Sequence, residues 1–117
     1  MPDVQINLIV IRSANIDRSA EFYGLLGLQL IKHSHGSGPM HYAAEMGAQV
    51  FEIYPIQKEN ETSVGARIGF KVEGLDAAVE RLQEAGGRVI SSPKESPWGR
   101  RAVLADLDGH RIELTEF

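Results

Sequence analysis

A chain of 117 residues, 43% apolar and 24% charged, is long enough for a compact core, and no apolar run in it approaches the length of a membrane span. The formal net charge of −4 argues against nucleic-acid binding, which needs a basic patch, and the lack of cysteine excludes disulfides, thiolate metal sites and a cysteine nucleophile. The start, MPDVQINL, has no basic segment followed by a long apolar one, so a cytoplasmic location is expected.

Residues 5–13 (QINLIVIRS) are rich in β-branched side chains and read as a strand. Asn15 is placed to cap a helix, Asp17 suits the positive end of its dipole, and Ile16, Ala20 and Tyr23 recur at helical spacing up to Gly27. Strands are expected over 28–35, 40–46 and 49–56, with a loop at Gly36–Pro39 and a hairpin at Gly47-Ala48. The polar stretch KENETS (58–63) reads as a linker. The pattern then restarts, with a strand over 66–72, a helix over 75–85 stopped by Gly86-Gly87, and strands over 88–92, 101–105 and 111–117. The last two strands flank the Asp108-Gly109 turn signal.

The order β-α-β-β-β thus occurs twice, and the residues repeat with it. IDRSAEFYGLLGLQLI (16–31) lies over LDAAVERLQEAGGRVI (75–90) at an offset of 59, matching Asp17/Asp76, Glu21/Glu80, Gly27/Gly86 and Ile31/Ile90. From residue 38 the offset is 61, matching Gly38/Gly99, Ala44/Ala105 and Glu52/Glu113. The identities are few; their agreement with the predicted elements is what gives the repeat its weight. The class is α+β, as two tandem β-α-β-β-β modules forming a curved eight-stranded mixed sheet around a cavity.

Strand side chains alternate between faces. Ile9 and Ile11, Phe51 and Ile53, Ile68 and Phe70, and Ile112 and Leu114 belong under the helices. The opposite faces then carry four equivalent positions, Leu8 and Glu52 in one half and Arg67 and Glu113 in the other. A carboxylate among apolar strand neighbours requires a counter-charge, a cation or open water. Alternation leaves a solvated outer face open, while the match across the repeat favours a shared site. Tyr54 shares the Glu52 face.

The doubled modules, the RSAEFYGLLGL helix end, the PWGRR segment and the DLDGHRIEL hairpin resemble the vicinal oxygen chelate superfamily of glyoxalases, bleomycin-resistance proteins, fosfomycin-resistance transferases and extradiol dioxygenases. The resemblance implies one glyoxalase-like domain over 1–117, with module one at about 4–57, a linker at 58–63 and module two at about 64–117. It also implies a homodimer, and a divalent metal (Ni, Zn, Mn or Fe) held at the four positions in the metalloenzyme branches. Carried onto this chain, those positions are Leu8, Glu52, Arg67 and Glu113, and only the glutamates can ligate. Arginine stays cationic and offers no lone pair, so Arg67 is expected to pair with Glu52, Glu113 or both.

Two functions follow. In the first, the chain binds a small molecule without a cofactor, in a cavity lined by Leu8, Tyr54, Arg67, Glu52 and Glu113, with a degenerate metal site. In the second, it is a metal-dependent lyase or isomerase resembling glyoxalase I, with Glu52 and Glu113 as metal and catalytic residues. A further donor could come from His41 or Tyr42, whichever faces the cavity. His33 and His35 share a strand face and could chelate, although a place beside the 36–39 loop also suits exposed histidines. His110 reads as an idle surface turn residue. Arg12 and Lys71 read as solvated strand ends or as basic groups at a cavity mouth. Trp98, the only tryptophan, reads as a pocket wall or lid, or as a dimer contact. No phosphate-binding loop, serine triad or dinucleotide fingerprint is present, and neither a nucleic-acid nor a membrane partner is expected.

Overall fold

The structure is a computed structural model describing residues 3–117; Met1 and Pro2, which begin the stretch read for a secretion signal, lie outside the described residues. The chain divides into two compact units, the first ending at Thr62 and the second spanning Ser63–Phe117. No helix among the described residues is long and apolar enough to cross a membrane.

The first unit contains β1 (Leu8–Ser13), α1 (Ile16–Gly24), β2 (Ile31–His33), β3 (His41–Met46) and β4 (Gln49–Pro55). Its strands form a mixed sheet in the order β1-β4-β3-β2, with β1 parallel to β4 and the other pairs antiparallel. Asn15 caps α1 as expected, its side chain accepting from the Arg18 amide at 3.1 Å. Phe22 and Tyr23 of α1 pack with Phe51 of β4, the Tyr23 and Phe51 ring centroids 5.0 Å apart. The helix ends at Gly24, and Gly27, at φ +100°, turns the chain back toward the sheet. β2 is shorter than its sequence suggests because only three of its residues pair with β3.

The second unit repeats the order with β5 (Arg67–Val72), α2 (Leu75–Glu84), β6 (Arg88–Lys94), β7 (Arg101–Ala105) and β8 (Arg111–Glu116), in a mixed sheet β5-β8-β7-β6. Leu75, Ala78, Val79 and Leu82 of α2 are buried together with Ile68, Leu104, Ile112 and Leu114. Gly74 stands where the repeat has Asn15 and offers no side-chain cap; Glu116 of β8 takes over by accepting from the Leu75 amide at 2.9 Å. β6 runs two residues beyond its expected end and through Pro93, tolerated because this edge strand carries register shifts.

Strand pairing corrects the sequence alignment of the halves. Tyr42 faces Ile53 and Ala44 faces Phe51, whereas Ala102 faces Leu114 and Leu104 faces Ile112. β4 and β8 therefore correspond at an offset of 61, but β3 and β7 at 60, because the second hairpin turn is one residue longer. His41 corresponds to Arg101, and Ala44 to Leu104 rather than Ala105.

That longer turn also overturns the reading of His110, which is fully buried. Its Nδ1 lies 2.9 Å from Asp106 Oδ2, and its Nε2 lies 2.5 Å from the Ser63 hydroxyl. Asp106 Oδ1 additionally accepts from the amides of Asp108 and His110. The group locks the β7–β8 turn to the start of its own unit.

Candidate binding faces and a guanidinium in a metal position

The helix-free face of each sheet carries the residues singled out by the repeat. In the first unit Phe51 and Ile53 are fully buried, which turns Val50, Glu52 and Tyr54 to the opposite face. A cleft of about 660 Å³ opens there, lined by Gln29, Ile31, His33, Ala43, Glu45, Val50 and Glu52. Leu8 is half-exposed on β1 and holds no polar atom for a ligand.

His41 takes the cavity side of β3, along with Ala43 and Glu45. Tyr42 points the other way and donates to Asp17 of α1 at 2.6 Å. Lys32 reaches the same carboxylate at 3.0 Å. The Tyr42 hydrogen bond, helped by Lys32, holds the Asp17 carboxyl below its ordinary value, and the same contact raises the Tyr42 phenol. His41 is 1% exposed and lies flat against Tyr54, ring centroids 4.1 Å apart at 10°. Its Nε2 is 3.7 Å from Glu52 Oε2, so a histidine is the neighbour of this glutamate. Arg12 stands 5.5 Å above the Tyr54 ring, donates to the Pro55 carbonyl at 3.1 Å and approaches Glu61 at 3.5 Å.

In the second unit one oxygen of Glu113 is enclosed by two guanidinium groups. Arg67 places Nε at 2.6 Å and Nη2 at 2.5 Å from Glu113 Oε1, and Arg101 places Nη2 at 2.9 Å from it. Arg67, Arg101 and Glu113 line a cleft of about 610 Å³ together with Thr115 and Trp98. Trp98 is 75% exposed and hangs from the loop before β7. Arg100 faces away from this group, bonding Asp76 of α2 at 2.9 Å and holding that carboxyl below its ordinary value. Lys71 lies 5.8 Å from the centre of the Phe117 ring.

Arg101 escaped the sequence reading because the offset of 61 set it beside Met40 instead of His41. With the register corrected, each half has the same device, a glutamate on its fourth strand and a basic residue on its third.

The sequence model of the Glyoxalase/Bleomycin resistance protein/Dioxygenase superfamily matches residues 5–114, and the chain belongs to that superfamily. A relative in Mycolicibacterium smegmatis, an uncharacterized protein, is 30% identical over 112 residues, covering 96% of this chain and 93% of its own. A glyoxalase-related enzyme from Fulvimarina pelagi superposes with a TM-score of 0.76 at 21% identity, covering 97% of this chain and 88% of its own. TnmS3, an antibiotic binding protein from Streptomyces sp. CB03234, superposes at 0.72 with 24% identity, covering 99% and 98%. At these identities the structural likeness is one of fold.

The residues do not fit the metal that the fold family implies. Of the two candidate positions in the first unit, Leu8 has no donor; of the two in the second, Arg67 is a permanent cation bonded to Glu113. A divalent ion at Glu113 would sit beside the charge of two guanidinium groups.

Proposed function

We propose that the chain is a small-molecule-binding protein that uses no metal at the four family positions. The observation carrying this reading is the double guanidinium clamp on Glu113, which supplies positive charge without an ion. Two guanidinium groups against one carboxylate leave the second unit's cleft with a positive balance, and Trp98 adds a flat apolar surface at its edge. Arginine forks suit carboxylate, sulfonate or phosphate groups, and an indole suits a planar ring. The preferred ligand is therefore a planar aromatic molecule with an acidic substituent. The fold it shares with TnmS3, an antibiotic binding protein, is in keeping with small-molecule binding.

The role of Glu52 is to keep the first unit's cleft acidic beside its apolar Ile31, Ala43 and Val50. A homodimer in the cytoplasm belongs to the same proposal, with exposed Leu8 and Val10 on edge strand β1 as the apolar surface for a second copy. Sedimentation equilibrium at micromolar concentration should give twice the chain mass.

The test is purification of the native protein without chelator, followed by mass spectrometry of released small molecules and elemental analysis. An aromatic acid released in near-stoichiometric amount supports the proposal. A stoichiometric divalent ion that disappears in Glu113→Gln would contradict it and favour the metal-dependent lyase or isomerase.

A further inference from the structure

We propose that His33, His35 and His41 form a binding site for a divalent transition metal of zinc or nickel type, beside Glu52 but with none of its three ligands at the four family positions. The β2–β3 register sets His33 directly opposite His41. His35 lies two residues further on, and the three ring centroids are 4.4 to 5.3 Å apart. One nitrogen from each ring lies within 4.8 Å of the other two.

The state of His41 is the second, independent observation. Its Nδ1 is 3.1 Å from the carbonyl oxygen of Pro39, which can only accept, so the ring proton belongs on Nδ1. In the neutral ring Nε2 then carries the lone pair, and it is buried with no hydrogen-bond partner. The Glu52 carboxylate, an acceptor in kind, stands 3.7 Å from it. Two acceptors side by side, the His41 nitrogen fully buried, favour a cation between them. A backbone carbonyl that fixes one ring nitrogen while the other is free is the usual support of a metal-bound histidine.

The site is partly preorganised. Stacking on Tyr54 fixes the His41 ring, while His33 is half-buried and His35 is exposed at the 36–38 turn. Ligands at about 2.1 Å around a tetrahedral ion stand roughly 3.4 Å apart, so the His33 and His35 rings would close inward on binding. Three imidazoles beside a carboxylate select zinc, nickel or cobalt over magnesium or calcium. His33 and Glu52 also line the first unit's cleft, which leaves a coordination position facing open space.

The experiment is calorimetric titration of the full chain with zinc chloride and nickel chloride, on the wild type and on His33→Ala, His35→Ala and Glu113→Gln. The proposal expects one ion per chain at micromolar affinity or tighter, weakened on the order of a hundredfold by either histidine change and retained in Glu113→Gln. Circular dichroism of the exposed-site variant His35→Ala should match the wild type, separating lost ligation from lost folding. Absence of saturable binding overturns the proposal, as does binding that survives both histidine changes. Binding lost only in Glu113→Gln overturns it too, and in that case contradicts the proposed function as well.

Discussion

Arg67 and Glu113 are diagonal neighbours on adjacent strands β5 and β8, and two nitrogens of the guanidinium reach the same carboxylate oxygen. The pair occupies two of the four positions onto which the family resemblance carries metal ligands. Charge type, more than space, separates this site from a metal centre. In a His35→Ala background, Arg67→His should therefore raise nickel affinity on the order of tenfold, because it exchanges a cation for a lone pair beside Glu113. Calorimetry of the double variant against His35→Ala alone checks this; equal affinities would count against it.

His110 should be among the more costly residues to truncate. Its removal takes the imidazole partner from the buried Asp106 carboxylate and opens a void beneath the turn. His110→Ala is expected to lower stability by about 3 kcal/mol, read from urea denaturation midpoints. A loss near zero would mean that the turn is held by other contacts.

The matched glycines Gly27 and Gly86 sit at φ +100° and +107°, so each is strained by any L side chain. A Cβ at Gly86 would also lie 3.0 Å from Leu107 Cδ2, while at Gly27 nothing stands within 4 Å. Gly27→Ala should cost about 1 kcal/mol, and Gly86→Ala visibly more. The same denaturation series tests the order; a reversed order would contradict it.

Acid should weaken both units through Asp17 and Asp76, whose carboxyls are held below the ordinary 3.8, by Tyr42 and Lys32 in one case and by Arg100 in the other. For a depressed carboxyl the stabilisation is present above the unfolded value and lost as pH falls through the folded one. The loss should therefore begin near pH 4 and continue below it, and Asp17→Asn should flatten part of the slope. Both carboxylates are exposed, so the effect is modest and shrinks with added salt. At the alkaline end, Tyr42 and Lys32 are both raised, so their contribution persists below pH 10 and fades above it as they lose their protons.

The doubled β-α-β-β-β order was legible because periodicity, caps and the paired Gly27 and Gly86 are local signals. Strand faces were legible too, since alternation alone put Glu52 and Glu113 opposite the buried Phe51, Ile53, Ile112 and Leu114. What stayed hidden depends on pairing across strands. The one-residue difference between the hairpin turns concealed the match of His41 with Arg101, and with it the second guanidinium on Glu113. The burial of His110 was hidden for a similar reason, because its partners come together only in the folded unit, Asp106 from the turn and Ser63 from the segment before β5.

In the proposed function the Arg67–Glu113–Arg101 cluster and Trp98 bind an aromatic anion without help from a metal. Because Trp98 is the only tryptophan, its fluorescence reports this cleft alone. Titration with anilinonaphthalene sulfonate should give saturable one-to-one quenching that is unchanged by excess chelator and weakened about tenfold by Arg67→Ala. No saturable quenching, or quenching abolished by the chelator, would contradict metal-free binding in this cleft.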